Sequence, residues 1–348
     1  MTAYLLKEQG FEVEGVSFLI WEARQRCSHD ACCSLEAAQS AEQTAGEIGI
    51  PHRSVDVREA FADAVIDPFV SAYADGITPN PCILCNRRVK FPFLLKEAER
   101  RGAEYIATGH YARIESIGGA KVPAPSPERT HLLKKGVDPR KDQSYVLYGL
   151  RPEELRRLLL PLGDLTKKAV REMARSLGLP AAERPESQEI CFIGDEGYAK
   201  FIEELSPLSS RPGRIVDRRG NILGSHKGLA HYTIGQRKGL GISSPDPCYV
   251  TAIDPLHNLI RVGRREEALA GTVLVSELNW LASAPSRTFR AGVKVRSMMG
   301  DVPADVELRD GCAIVRFDDA QWAPAPGQSA VWYLGDTVLG GGIITQAG

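Results

Sequence analysis

No stretch of the sequence approaches the roughly 18 uninterrupted apolar residues a membrane-crossing helix needs, and no basic segment with an apolar core and cleavage site opens the chain. These absences exclude a membrane-spanning or secreted class by the usual signals and make a cytosolic location, with no membrane partner, the expectation. Net charge is also lacking: 43 Lys and Arg stand against 44 Asp and Glu, a net charge of -1 over 348 residues. Any attraction to nucleic acid therefore has to come from local clusters such as NRRVK, KKGVDPRK, GQRKG and RVGRRE. Internal repeats and long low-complexity tracts are absent too. What remains, 43% hydrophobic and 25% charged residues, is ordinary globular composition, long enough for two or three domains with their own cores. The eight cysteines, without a secretion signal, suggest reduced thiols and not a disulfide scaffold.

The first 110 or so residues alternate helical and strand patterns. TAYLLKEQG reads as a helix ending at Gly10, FEVEGVSFLIW as a strand, SLEAAQSAEQTAGEIG as a helix opened by Ser34, and PHRSVDV as a strand. REAFADAVIDPFVSAYADG reads as helical, and AEYIATGHYA as a short β-rich run. Strands separated by helices predict an α/β fold, a doubly wound parallel sheet with ligands at the carboxyl ends of its strands. From RPEELRRLLLPLG through TKKAVREMARSLG to GYAKFIEELS the pattern is helical, with Thr166 as N-cap and Gly178 as stop. Beyond Pro212, short β-runs broken by Gly, Asn and Asp turns have the signature of small barrels. The 122–130 stretch, VPAPSPERT, reads as an exposed loop.

The segment NPCILCN places Cys82 and Cys85 just before a helix, where the terminal dipole and nearby Arg87 and Arg88 favour a thiolate. A redox pair, half of a metal site and a part in catalysis all remain open on these residues alone. Zinc fits poorly, because Cys27, His29, Cys32 and Cys33 in RCSHDACC are irregularly spaced. Cys191 in ESQEICFIG reads as a thiol presented by a loop or as a small buried residue. Cys248 and Cys312 lie in β-runs and read as packing residues. Gly109 and His110 end a predicted strand at the nucleotide edge of the sheet. Lys141, Asp142 and Gln143 form a polar turn suited to phosphate or base contacts, or to helix capping in the case of Asp142.

Taken together, TPNPCILCNRRVKF, YIATGHYAR, GVDPRKDQSYVLY, LPLGDLTKKAVREMA, ESQEICFIG, HYTIGQRKGLGI and PGQSAVWY resemble, in order, the tRNA-specific 2-thiouridylases, over essentially the whole chain. The resemblance implies an N-type ATP pyrophosphatase domain over 1–135, a helical tRNA-recognition segment over 136–208 carrying the persulfide cysteine, a central β domain over 209–267 and a C-terminal β-barrel over 268–348. It implies ATP, with Mg2+, adenylating the C2 oxygen of a tRNA wobble uridine, followed by sulfur transfer from a cysteine persulfide to give 2-thiouridine, AMP and pyrophosphate.

By the same resemblance, Cys191 is the persulfide carrier and Cys85 its partner nucleophile, whose attack leaves a Cys85–Cys191 disulfide. Asn80, Pro81 and Cys82 match the segment touching the target base. Cys82 stands where some members carry an aspartate, so it is a spare resolving thiol or joins Cys85 and Cys191 in holding an iron–sulfur cluster. His110, Lys141, Asp142, Gln143, Arg296, Ser297 and Gln328 match tRNA-contacting positions, Ser297 departing from the larger residue expected there. Gly109 and Phe18 match the ATP site. A cysteine desulfurase or sulfur-relay protein is the implied sulfur donor.

The family's phosphate loop, SGGVDSS, follows its first strand, and MTAYLLKEQG begins just past that point. The hypothesis this motivates is that Met1 stands for an internal valine read as a start and that the natural chain is longer by a strand and loop. An upstream reading frame without the motif would refute it. The competing expectation is a catalytically inactive tRNA-binding remnant. A stand-alone thiol-disulfide oxidoreductase leaves the other 300 or so residues unexplained.

Overall fold

The computed structural model of the chain describes residues 1–21, 35–117, 130–179, 190–193, 197–206, 211–244 and 246–348. Cys27, His29, Cys32, Cys33, Ser34 and most of the 122–130 loop lie outside the described residues. No described helix is long and apolar enough to cross a membrane.

Helix α1 (Thr2–Glu8) ends before Gly10, whose φ of 86° is the left-handed value that glycine adopts at little cost. Strands β1 (Gly15–Leu19) and β2 (His52–Asp56) pair in parallel, with α2 (Leu35–Glu47) between them in sequence. The helical run that follows is broken into α3 (Arg58–Phe61), a π-turn at Ala62–Ile66 and α4 (Asp67–Ala74). The next run repeats the pattern: α5 (Pro81–Cys85), a π-turn at Asn86–Lys90, then α6 (Phe91–Arg101), ended by Gly102 at φ 66°. Each π-turn sits two residues before a proline, Pro68 or Pro92. A proline ring collides with the carbonyl four residues back and offers that carbonyl no N–H, and a widened turn relieves both.

Strand β3 (Ile106–Ala107) leads to the hairpin of β4 (Ala112–Ser116) and β5 (His131–Lys135). Two short helices, α7 (Ser144–Leu147) and α8 (Pro152–Leu155), precede β6 (Leu158–Leu159), which pairs in parallel with β3. The expected helix over RPEELRRLLLPLG is therefore a single turn followed by a strand. Pairing with the buried Ile106 outweighs the local helical preference of the leucines. The parallel strands of this α/β region thus form two pairs, β1 with β2 and β3 with β6. Among the described residues neither pair is hydrogen-bonded to the other. Helix α9 (Lys167–Ser176) opens on Thr166, whose hydroxyl accepts from the Ala169 N–H at 3.2 Å, and stops at Gly178, φ 66°. Helix α10 (Gly197–Leu205) ends the region.

A central four-stranded sheet follows: β7 (Gly213–Val216), β8 (Ile222–His226), β9 (Tyr249–Asp254) and β10 (Leu259–Gly263), in the order β8-β7-β10-β9. The last six strands are β11 (Leu269–Trp280), β12 (Thr288–Lys294), β13 (Val302–Arg309), β14 (Cys312–Trp322), β15 (Ser329–Leu334) and β16 (Thr337–Ala347). They run β11-β14-β13-β12-β15-β16, and β11 also pairs with β16, closing a six-stranded barrel with no open edge of its own. Val273, Val293, Val306, Val315 and Trp332 fill its interior. The barrel is not a separate body. Tyr145 and Leu147 of α7, with Tyr148 just after it, share a buried cluster with Val331, Tyr333 and Val338 of the barrel. The Tyr145 hydroxyl donates to the Ser329 carbonyl at 2.8 Å, and Asn279 donates to the carbonyls of Tyr148 and Leu150 at 2.6 and 2.8 Å.

Candidate functional site

Asn80 caps α5, its side-chain oxygen accepting from the Cys82 N–H at 3.1 Å, and Pro81 occupies the first helical position, where its missing N–H is no loss. The helix presents Cys82 to solvent and turns Cys85 inward, 8% exposed. Cys85 sits in an apolar cluster with Phe61, Phe69, Tyr73, Val89 and Phe192, while Arg87 and Arg88 are exposed. Buried Asn86 donates to the Val146 carbonyl at 3.0 Å, fixing the cysteine helix to α7.

Cys191, half-buried, packs against that same cluster. Its neighbour Phe192 anchors the segment, with ring centroids 5.5 Å from Phe61 and 5.4 Å from Phe69, both edge-on. Two cysteines more than 100 residues apart in sequence are thus brought to one apolar cluster. Among the described residues no group of three or more His, Cys, Asp or Glu is placed to hold a metal ion, so Cys82, Cys85 and Cys191 do not form a cradle for an iron–sulfur cluster in this structure.

His110 is buried and stacked on Phe91, ring centroids 5.9 Å apart, with its Nδ1 2.7 Å from the Thr108 hydroxyl. Burial, with a smaller contribution from Lys90, pushes its pKa down to about 3, so the imidazole is neutral near pH 7. Asp142 turns inward: its carboxylate accepts from the Gly136 N–H, the Ser144 N–H and the Ser144 hydroxyl, and lies 3.8 Å from the Lys294 ammonium. Burial lowers the Lys294 pKa, against the opposing pull of Asp142 and Asp301. The Gln143 side-chain oxygen accepts from the Tyr111 N–H at 2.9 Å, and the Lys141 N–H closes a turn onto the Asp138 carbonyl. Gln328 donates from Nε2 to the Thr78 and Pro79 carbonyls, at 3.0 and 3.4 Å, directly ahead of Asn80.

Arg296 and Ser297 lie in the turn between β12 and β13. The Arg296 Nη2 donates to the Ile234 carbonyl at 2.9 Å and the Ala323 carbonyl at 2.6 Å, and burial of the guanidinium lowers its pKa. Arg296 lines an open cavity of about 530 Å³ with Tyr198, His231, Thr233, Gln236 and Lys238. The Tyr198 ring lies 5.0 Å from Tyr73, which belongs to the Cys85 cluster, so the cavity and the cysteines share a wall. GQRKG is visible in the sequence as a basic cluster; that Tyr198 and His231 join it is set by tertiary packing alone.

The two residues expected at an ATP site have different neighbours. Phe18 packs edge-on to Phe93 at 6.5 Å beside the Cys85 cluster, and Gly109 lies against Thr2 and Leu162. Among the described residues no glycine-rich turn joins a parallel strand to a helix N-terminus, the arrangement that cradles phosphates.

An α/β domain carrying a thiol pair in its core, followed by a small β domain and a closed barrel, defines a class of modular enzyme-like architecture. Comparison with known proteins matches each module in turn. Residues 1–195 match the family model of the tRNA methyl transferase HUP domain, 199–264 that of the tRNA methyl transferase PRC-barrel domain, and 270–344 that of the aminomethyltransferase beta-barrel domain. The chain is 45% identical to tRNA-specific 2-thiouridylase MnmA 1 of Caldanaerobacter subterraneus, over 99% of this chain and 94% of that one. It is 43% identical to the MnmA of Geotalea uraniireducens, over 100% and 92%, and 44% identical to that of Geobacter metallireducens, over 100% and 94%. The chain belongs to the tRNA-specific 2-thiouridylase family.

Proposed function

We propose that the protein is a tRNA-uridine 2-sulfurtransferase, and that Cys85 and Cys191 carry the sulfur step. ATP would supply the activation: attack of the C2 oxygen of a wobble uridine on the α-phosphate would break the α–β phosphoanhydride bond and release pyrophosphate, leaving an O-adenylate whose oxygen can depart with AMP. Cys191 receives sulfur from a cysteine desulfurase or relay protein and holds it as a persulfide. The Cys85 thiolate attacks the inner sulfur of that persulfide, forming the Cys85–Cys191 disulfide and releasing hydrosulfide. Hydrosulfide displaces AMP to give 2-thiouridine, and an external thiol reduces the disulfide to restore both cysteines.

The observation that carries this reading is the meeting of Cys85 and Cys191 at one apolar cluster from distant parts of the chain. A sulfur relay between two thiols requires them within reach of each other, and an apolar surround keeps water from the transferred sulfur. Asn80, Pro81 and Cys82 are assigned to the target base, which must leave its stack to be reached. His110, Lys141, Asp142, Gln143, Arg296, Ser297 and Gln328 are assigned to the tRNA-binding region, several of them acting by shaping it from below. Phe18 and Gly109 are assigned to the adenine nucleotide.

The test is 2-thiouridine formation and pyrophosphate release by the purified chain with tRNA, ATP and a persulfide donor. Cys85→Ser and Cys191→Ser are each expected to abolish thiolation while leaving pyrophosphate release in place. A chain that binds tRNA with no pyrophosphate release and no thiolation is instead the inactive remnant.

A further inference from the structure

The short helix carrying Cys82 and Cys85 is held at its entrance by the C-terminal barrel. The Thr78 N–H donates to the Pro326 carbonyl at 2.9 Å, and the Gln328 amide donates back to the carbonyls of Thr78 and Pro79. The two carbonyls fix which way the Gln328 amide faces, since a flipped amide would set oxygen against oxygen. Gly327 lets the two chain segments approach: its φ is +90°, and a Cβ there would lie 2.3 Å from Ile77 Cγ2 and 2.9 Å from the Thr78 carbonyl oxygen.

The barrel side of this contact is built to be stiff. The Gly327 N–H donates to the Ile344 carbonyl at 2.9 Å, the Ile344 N–H to the Gln328 carbonyl at 2.8 Å, and the Ala323 N–H to the Ala268 carbonyl at 2.8 Å. Arg296 binds the Ala323 carbonyl, and Ala323, Ala325 and Ser329 are fully buried. On the other side, the end of α4 rests on the central sheet, where Gly76 abuts Ile253 and Pro255.

We infer that Gln328 is a positioning residue for the cysteine helix: barrel residues Pro326, Gly327 and Gln328 form a rigid template that sets the path of Ile77–Pro79 and so the placement of Asn80, Cys82 and Cys85. The Gln328 amide nitrogen is committed to the Thr78 and Pro79 carbonyls of the protein chain, so its carbonyl oxygen is the end of the side chain turned away from this contact. The functional consequence rests on the sulfurtransferase reading; the mechanical one does not.

Gln328→Glu keeps the size and every acceptor while removing the two donors, and Gln328→Met removes the donors with similar length. Amide hydrogen exchange of the full chain without tRNA is expected to rise about tenfold over residues 77–86 in both variants, the scale of one lost hydrogen bond or two weak ones. Exchange in the β13–β14 hairpin should stay unchanged. In thiolation, kcat should fall by about the same factor with little change in KM for tRNA. Unchanged exchange over 77–86 overturns the inference, as does faster exchange with unchanged kcat. So does a rise in KM alone, which assigns Gln328 to tRNA contact only. If the unsubstituted chain makes no 2-thiouridine, the sulfurtransferase reading fails, while the exchange comparison still decides the positioning role.

Discussion

Acidification should destabilise this protein through His110. The imidazole is enclosed, stacked on Phe91 and paired with the Thr108 hydroxyl, and its pKa in the folded chain is about 3 against 6.5 for the exposed side chain. The folded value lies below the unfolded one, so between these limits the unfolded chain binds the proton and the folded chain does not. The stabilisation is complete above pH 6.5 and is lost as pH falls toward 3. At 1.36 kcal/mol per pKa unit, lowering the pH from about 8 to about 5 removes about 2 kcal/mol. His226 is shifted in the same direction by burial and adds to the slope, so the comparison has to be with His110→Gln, whose amide oxygen can still accept from Thr108. Urea unfolding at the two pH values measures it. The unsubstituted chain should lose about 2 kcal/mol more than His110→Gln on acidification. Equal losses would refute the enclosure of a neutral His110.

Asp142→Ala should cost about 3 kcal/mol in denaturant unfolding by stranding Lys294, whose side chain is only 9% exposed, and adding Lys294→Met should recover part of the loss. Gly163→Ala should lower stability by about 3 kcal/mol or more, read as a fall in melting temperature, because the new Cβ would lie 1.8 Å from the backbone oxygen of Ala112. Phe192→Ala should cost about 3–5 kcal/mol by opening the centre of the Cys85 cluster. Disulfide formation between Cys85 and Cys191 under mild oxidation, followed by mass spectrometry, should slow with it.

What could be read from the sequence was what the chain decides locally. Thr166 and Gly178 bound α9 because a hydroxyl cap and a left-handed glycine act within one turn. Asp310 and Gly311, with φ of 44° and 81°, make the tight turn between β13 and β14 that the sequence places there. The π-turns are marked only by Pro68 and Pro92 inside otherwise helical runs, which show where the hydrogen-bond ladder must break but not that a widened turn resolves the clash. Strand β6 was hidden in a leucine-rich run that reads as helix until β3 is placed beside it. At the site, both cysteines were legible as residues, but their shared cluster depends on Phe61, Phe69 and Phe192 meeting across the fold. The grip of Gln328 on Thr78 and Pro79 has no local signature, because its partners lie 250 and 249 residues away. Around Asp142 only Lys294 is distant, while Gly136 and Ser144 are near neighbours that fit the capping role open to it in the sequence.

The β4–β5 hairpin extends the sheet of the barrel: Thr337 pairs with Lys134, the Lys135 N–H donates to the Asp336 carbonyl at 2.8 Å, and Arg113 pairs with the Asp336 carboxylate at 2.7 Å. During synthesis this hairpin leaves the ribosome about 200 residues before its partner strand exists, a wait of roughly 10–40 s at ordinary elongation rates. Until then its outer edge has no ladder partner, and the buried face of α7 has no barrel to pack against. The order of translation therefore leaves the N-terminal half unable to reach its final packing before the last strand arrives. Release of a chain shortened by even its final two strands would expose an apolar face that the complete protein never shows.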